Sequence, residues 1–596
     1  MALRKWNRIV TVVSRDRITV IGQMTDDDSL GSTLVIDRVN PENISETTTS
    51  NNVVDGSVLK GVGLIGLLPL QGATYLGLIT KSSVAGYIGD HAVWSIKEVE
   101  WIPVNFGINS ASTIDQKHLS LVSSLFSSTT DFYFSYTYNV CGDETVKHDF
   151  RWNSYHTRIL QRPSISPSWE VHIMCGSFTS IDFESFGRPF TFSLICRRSS
   201  SFAGTRYRKR GLNWDGCCAN HVESEQILVA YGPPHHVMKF KQVRGSVPLH
   251  WSQASHGLVP KPEIFVHRRD LDLGSTRKHF QNLLVQYGMP IKAVSLLAKG
   301  PNRASESLLG SEYAIAVRHM QSELNLTLDE FDLKSAVVGD SGASTPHEPM
   351  HSGMYSEARS LAKRLVGQVG WTWVGHEQLR NQKGVIRTNC VDCLDRTNIF
   401  QYIVGLEVLS EQLIELGVLD EPLRPSWATG PSVRGSPVLV TDRGQSDHSL
   451  LPLIEEMFEH AGDQLSYQYA GTATHKKYAS DSTPGSGVGG RAKRSFFNEI
   501  FISLGRHYSA SFTDLDKQHS LNLFLGLYSD AMREVAVYED VCNVENIDRW
   551  VHSHSKQLGV TERSEPPNSP FISPLGEKYT SLNAKRLSNV RQISFT

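Results

Sequence analysis

The stretch Arg387-Thr-Asn-Cys390-Val-Asp392-Cys393-Leu-Asp395-Arg396-Thr397-Asn398 decides how this 596-residue chain is read. A cysteine is followed six positions later by an arginine, and Thr397 stands directly after it. A loop of this kind can close around a tetrahedral oxyanion. The sulfur lies beneath the phosphorus, backbone N–H groups turn inward as a nest, and the guanidinium grips two oxygens at once. Residues 384–388 read as a strand leading into the loop. After Thr397 the apolar residues Ile399, Phe400, Ile403, Val404, Leu406 and Leu409 recur at helical spacing. A helix starting there adds its N-terminal dipole to the same pocket.

The spacing alone is weak, and the surrounding residues carry the discrimination. A free thiol has a pKa of about 8.5; a cationic loop at a helix N-terminus lowers it to about 3.5–7.5, so the loop that binds the anion also activates Cys390 as nucleophile. Arg396 supplies the bidentate cation. Asp392 and Asp395 put two carboxylates in the loop for protonating a leaving alkoxide; Asp392 is the first choice, with Asp395 alternatively fixing Arg396 or the loop. Thr397 offers a hydroxyl to the sulfur, and Arg387 adds a second positive charge on the approach. Asn389, Val391, Cys393 and Leu394 complete the substrate-binding lining. Cys390 and Cys393 also form a C-x-x-C pair, which fits a zinc knuckle or a dithiol redox site. Zinc needs four ligands, no second C-x-x-C occurs, and the adjacent Cys217 and Cys218 diverge as neighbours. A dithiol site leaves Arg396, Thr397 and the aspartates without a role. A buried loop cysteine beside a buried ion pair is the plainest alternative.

The stretch resembles the signature of the Sac-domain phosphoinositide phosphatases. Further blocks resemble that family in its order: Ser201-Phe-Ala-Gly204-Thr205-Arg206, Ala219-Asn220-His-Val-Glu223-Ser-Glu225-Gln226, Gln242-Val-Arg244-Gly245-Ser-Val-Pro248, Gly462-Asp-Gln-Leu-Ser-Tyr-Gln468 and Asp516-Lys-Gln-His-Ser. Together they cover roughly residues 55–530 in patches. Phe202-Ala-Gly-Thr205, Pro260-Lys-Pro262 and the segment 63–103 are most similar to the polyphosphoinositide phosphatase branch. The resemblance implies removal of the 5-phosphate of phosphatidylinositol 3,5-bisphosphate at endosomal or vacuolar membranes. It implies that Cys390 forms a cysteinyl-phosphate, that Arg396 holds the equatorial oxygens, and that water completes hydrolysis. No cofactor is required by such chemistry; some members respond to Mg²⁺, and no dedicated ligand cluster stands out here. The branch also implies partners, a lipid kinase and a helical-repeat scaffold. A catalytically weak scaffold subunit, a phosphatidylinositol 4-phosphate phosphatase and a protein-tyrosine phosphatase are the competing functions.

A net charge of −2 excludes a uniformly basic nucleic-acid binder, while leaving room for local basic patches. The run Arg206, Arg208, Lys209, Arg210, with Arg197 and Arg198 upstream, is either a solvated loop or a cationic rim facing an anionic membrane. Arg206, Lys209 and Arg244 are taken as substrate-binding candidates, with Lys239 and Lys241 behind them. Eight unevenly spaced cysteines do not look like a disulfide framework and suit a reducing compartment. The start carries no uninterrupted apolar core of a signal peptide. Residues 61–80 are uncharged and near spanning length, but Pro69, Gln71 and Gly72 break them, so two short strands joined by a turn are expected. The protein should therefore be cytoplasmic and peripheral on membranes, without a transmembrane helix.

The expected fold class is α/β (α+β). Residues 1–140 read as a β-rich amino-terminal subdomain, with strands near 8–13, 18–21, 33–36 and 132–138. Residues 141–535 read as an α/β catalytic domain with the Cys-x5-Arg loop between a strand and a helix, its family region roughly 120–475 plus closing helices. Within it, strands are expected near 190–195 and 292–297, and helices near 277–287, 312–326 and 354–369. Segments 339–353, 421–447 and 479–494 look like surface insertions, and 536–596 like a tail without fixed structure.

Overall fold

The computed structural model describes residues 5–527 except for 25–26, 49–55, 71, 106–112, 128–131, 143–148, 207, 254–262, 268–269, 301–303, 333–351, 376–379, 425–437, 440–447 and 473–513. The tail, the 479–494 insertion and most of the other two insertions therefore lie outside the described residues. The described chain up to Leu525 belongs to one unit.

Alternating apolar residues build an amino-terminal sheet from β1 (Arg8–Val13), β2 (Arg17–Met24), β3 (Asp27–Asp37), β4 (Ile44–Thr48) and β5 (Ser57–Gly61), in the order β4-β3-β2-β1-β5. Ile9, Ile18, Val20, Leu34 and Ile36 bury one face of it against Trp6, Trp169 and Leu160. The uncharged stretch 61–80 is a hairpin, as expected: β6 (Gly63–Pro69) pairs antiparallel with β7 (Thr74–Ile88). No helix among the described residues is long and apolar enough to cross a membrane.

The main sheet has twelve strands. It continues through β8 (His91–Pro103), β9 (Phe132–Phe134), β10 (Met174–Ser185), β11 (Arg188–Arg198), β12 (Val222–Ala230) and β13 (His236–Arg244). A small ribbon of β14 (Trp251–Gln253) and β15 (Ile264–Val266) stands apart. The main sheet then gains β16 (Ile291–Ser295), β17 (Leu326–Glu330), β18 (Thr372–Val374) and β19 (Val385–Asn389). A boundary at 140 does not coincide with a break in this sheet, because β9 before it pairs with β10 after it through Tyr133 and Met174. Among the described residues before 140, the five-stranded layer over residues 8–61 is the sheet separate from the main one. The reason is hydrogen bonding: an open edge at β9 would strand its donors and acceptors.

At one end the sheet runs β17-β16-β19-β13, and these four strands are mutually parallel in sequence of pairing. Parallel strands need crossover helices; after α1 (Thr113–Ser127) and the short α2 (Ser154–Thr157), the chain supplies α3 (Gly274–Tyr287), α4 (Ala304–Leu324), α5 (Ser352–Val369) and α6 (Asp395–Glu415). α7 (Leu450–Ala470) follows. Ile386, Val294 and Leu296 pack with α5, α6 and α7 on one face. Val385, Ile291 and Ala293 pack with α3 and α4 on the other. The strand order reverses between β16, which is followed by α4, and β19, which is followed by α6. A crevice at the carboxyl ends of the strands forms at such a reversal.

Candidate active site

β19 ends at Asn389 and α6 begins at Asp395, so residues 390–394 form the connection at that reversal. The residues bend sharply there: Cys393 has φ +53°, a left-handed conformation uncommon for a residue with a side chain. The bend turns the Cys393 N–H onto the Cys390 sulfur at 2.9 Å. The Cys393 thiol donates to the Gly245 carbonyl at 2.7 Å and accepts from the Cys390 N–H at 3.2 Å. Cys393 is completely buried, so it stabilises the bend rather than lining a binding surface. Cys390 itself is 3 % exposed, with the loop closed down on its sulfur.

Burial pushes the Cys390 thiol up, but the hydrogen bond with Cys393, the charge of Arg396 and the Thr397 hydroxyl outweigh it, bringing the pKa to about 6 despite Asp392. Burial and the neighbouring Cys390 raise the Cys393 thiol well above its ordinary value. The two sulfurs are thus differentiated: one is poised as thiolate near neutral pH and the other stays protonated. The Thr397 hydroxyl is buried without a hydrogen bond of standard geometry, so its effect on the sulfur is one of proximity.

Arg396 lies near enough to Cys390 for the charge of each to shift the other's pKa. Nη1 of Arg396 donates to the Leu296 carbonyl at 2.6 Å and to Glu306 Oε1 at 2.5 Å. Asp392 is engaged more heavily. Arg206 grips it with Nε at 3.0 Å and Nη2 at 2.7 Å, and Arg210 Nη2 lies 2.7 Å from Oδ1. Arg210 also donates to the Val391 carbonyl at 3.1 Å, and Asn220 donates to the Asp392 carbonyl at 3.1 Å. A carboxylate in that position is an acceptor for two guanidiniums, which favours the ionised form over a proton donor. Asp395 stands half-buried in the first turn of α6, where the helix dipole suits a negative charge.

Three expected substrate contacts are instead parts of the framework. Arg387 is fully buried. It donates to His279 Nε2 at 2.9 Å, to the Ser246 carbonyl at 2.7 Å and to Asn389 Oδ1 at 3.2 Å, with the Cys218 sulfur at 3.4 Å. Strand alternation decides this: Arg387 follows Val385 by two and shares its face toward α3. Arg244 lies under the loop and donates to the carbonyls of Cys393 and Leu394, with Asn398 Oδ1 at 3.2 Å. It holds the loop's backbone. Lys209 is buried with Nζ 4.8 Å from the centre of the Phe202 ring. Asn389 and Leu394 are likewise enclosed, Leu394 against Tyr469. Of the upstream basic residues, Arg197 is buried with Glu223 and Glu225, and Arg198 donates to the Gly204 carbonyl. The run is mostly internal wiring, and Arg206 and Arg210 reach Asp392. Lys239, on β13, lies 5.9 Å from the Tyr138 ring.

Glu306, Leu296 and Asn220 were not singled out by sequence. Asn220 falls inside a quoted block, whereas Glu306 is a generic acidic residue in a first helical turn. Among the described residues no group of three or more His, Cys, Asp or Glu side chains is placed to hold a metal ion.

A family model described as the SacI homology domain matches residues 62–337. That span supplies ten of the twelve strands of the main sheet, with Arg206, Arg210, Arg244 and Glu306, and stops short of the Cys390 loop. Over that span the chain is similar to the SacI homology family. Similar proteins include the phosphatidylinositol-3-phosphatase SAC1 of Arabidopsis thaliana, 30 % identical over 560 residues, covering 81 % of this chain and 59 % of that protein. The phosphoinositide phosphatase SAC4 of the same plant is 30 % identical, covering 80 % of this chain and 62 % of its own length. A polyphosphoinositide phosphatase of Schizosaccharomyces pombe is 29 % identical, covering 80 % and 57 % respectively. The chain spans about three fifths of the length of these relatives.

Proposed function

We propose that the protein is a phosphoinositide phosphatase that works through a cysteinyl-phosphate on Cys390. The observation that carries this reading is the pairing of a thiol lowered to about 6 with the Arg396 guanidinium across one loop, at the reversal of a parallel sheet. At neutral pH the Cys390 thiolate attacks phosphorus, and the S–P bond forms as the bond to the inositol oxygen breaks. The departing alkoxide takes a proton from a loop aspartate or from water. Arg396 balances charge on the phosphoryl oxygens where it grows. Water then attacks phosphorus and releases phosphate, and the sulfur leaves as thiolate, helped by Thr397. Thiolate attack calls for no metal-bound hydroxide, so Mg²⁺, where it acts, would act on the lipid headgroup.

Because Cys390 is 3 % exposed, phosphoryl binding requires the loop to open, and the ion pairs of Asp392 with Arg206 and Arg210 are its outermost ties. Asp392 first serves to hold these two cations beside the loop. The proton donor to the leaving alkoxide is one of the two loop carboxylates, Asp392 or Asp395.

The favoured substrate is phosphatidylinositol 3,5-bisphosphate, cleaved at the 5-phosphate, at the cytosolic face of endosomal or vacuolar membranes. The name of the fission-yeast relative and the segment 63–103 support that choice; the plant relative named as a 3-phosphatase marks the alternative position. Phosphate release from a panel of mono- and bisphosphorylated phosphoinositides, with Cys390→Ser as control, tests it. Release from the bisphosphate above all others, abolished by the substitution, is the expected result. Release from no lipid, even with lipid kinase and scaffold partners present, would leave a scaffold subunit as the reading.

A further inference from the structure

The guanidinium of Arg396 is used unevenly. Nη1 carries both of its hydrogen bonds, to the Leu296 carbonyl at the carboxyl end of β16 and to Glu306 in the first turn of α4. Nε and Nη2 have no hydrogen-bond partner among the described residues. Glu306 is in turn tied down, since its Oε1 also accepts from the Ala298 N–H at 2.9 Å. That bond joins the helix to the segment leaving β16. The Glu306 and Arg396 side chains are 12 % and 15 % exposed, so neither moves freely in solvent.

A guanidinium offers a carboxylate or phosphoryl group two parallel N–H bonds along one edge. An arginine on a flexible stem must lose rotational freedom to present that edge, and the loss weighs against the transition state unless it is met beforehand. Here the Nη1 corner is clamped from the neighbouring strand and helix, and the Nε–Nη2 edge is left for a ligand. A clamp built from a carbonyl alone would accept one bond; the carboxylate adds charge-assisted strength.

We infer that Glu306 is a positioning residue for phosphoryl transfer, fixing Arg396 through Nη1 so that its Nε–Nη2 edge faces the phosphoryl group on Cys390. This rests on the proposed phosphatase reading. It assigns to α4, on the opposite face of the sheet from α6, a direct part in the chemistry of the loop. The reversal between β16 and β19 is what brings the two helix starts together. A contrary role is open to the same contact: Glu306 could compete with the phosphoryl group for Arg396 and hold the site shut. The two roles differ in sign.

The test compares Glu306→Ala, Glu306→Gln and Glu306→Asp in the full chain, with steady-state phosphate release and thermal melting. Glu306→Gln keeps an oxygen acceptor for Nη1 and should retain kcat within about threefold. Glu306→Ala removes the clamp and should lower kcat roughly 10- to 100-fold, as expected for a small misplacement of a catalytic group, with KM within about twofold. Glu306→Asp keeps the charge but withdraws the carboxylate by one methylene, so it should fall between them. It carries the comparison if the alanine variant does not fold. Equal or higher kcat in Glu306→Ala or Glu306→Asp overturns the inference, and an increase identifies a lock. A wild-type protein that releases phosphate from no lipid overturns the phosphatase reading instead. Tungstate protection of Cys390 against iodoacetamide then still separates the cases: protection lost in Glu306→Ala but kept in Glu306→Gln supports the clamp, and equal protection in both removes it.

Discussion

The stretch that carries Cys390 has an arginine toward each end, and the two live in different surroundings. On the strand side, Arg387 points into the core between β19 and α3, where every direction of its guanidinium meets a protein atom: His279, Ser246, Asn389 and Cys218. On the helix side, Arg396 is anchored through one nitrogen and keeps an edge unoccupied. Both are cations within nine residues of one another, yet only one has donors left for a ligand. Proximity of charge to a loop does not make a binding residue; the balance between donors and internal acceptors does. The same lesson applies to the run at 206–210, where Lys209 turns inward and Arg206 and Arg210 spend their charge on Asp392.

Arg396→Ala should show the largest effect: kcat/KM for phosphate release, per folded molecule, falls on the order of 10²–10³-fold, the range for losing a transition-state donor. Near-normal turnover would collapse the contrast between the two arginines. Asp392→Asn frees Arg206 and Arg210 and should cost roughly 10- to 100-fold in kcat/KM, through misplaced loop atoms. If Asp395→Asn proves harmless while Asp392→Asn abolishes activity, Asp392 is the acid after all.

Arg387→Ala should act on stability instead. It leaves buried acceptors without a donor, at about 1–3 kcal/mol each, and should lower the melting temperature while kcat per folded molecule changes little. A loss of substrate affinity without a loss of stability would place Arg387 at the substrate. Iodoacetamide alkylation of Cys390 sharpens the comparison further. The reactive form is the thiolate, so the rate should rise as pH rises through about 6. Removing Arg396 takes away one of the lowering influences, so the midpoint should move to higher pH in Arg396→Ala. It should stay in place in Arg387→Ala. The smallest change is expected for Thr397→Ala: a slight upward move of the same midpoint, and slower decay of the phosphoenzyme, seen as a larger burst relative to steady turnover.

Much of the framework was readable before any coordinates. The strand at 8–13 and the hairpin within 61–80 emerged where anticipated, because alternation and turn residues act locally. So did the helices starting near 277, 354 and 396. The pairing of β9 with β10 was not readable, since it joins segments some forty residues apart. The loop was legible as a cluster of residue types. The direction of each side chain was legible only in part: alternation along β19 could have sent Arg387 inward with Val385, and that signal went unused. Nothing local marks Glu306 as a neighbour of Arg396, ninety positions away.

Sequence by itself indicated that a cysteine, an arginine and a threonine sit at a strand-to-helix junction in a chain resembling the Sac-domain family, because that information is contiguous. Tertiary structure alone decided which cations stay available and which are consumed, and that α4 reaches the loop. It also decided that the Cys390 thiol is lowered and the Cys393 thiol raised. Those outcomes depend on desolvation and on acceptors brought from distant strands, and neither is encoded in the spacing of residues along the chain.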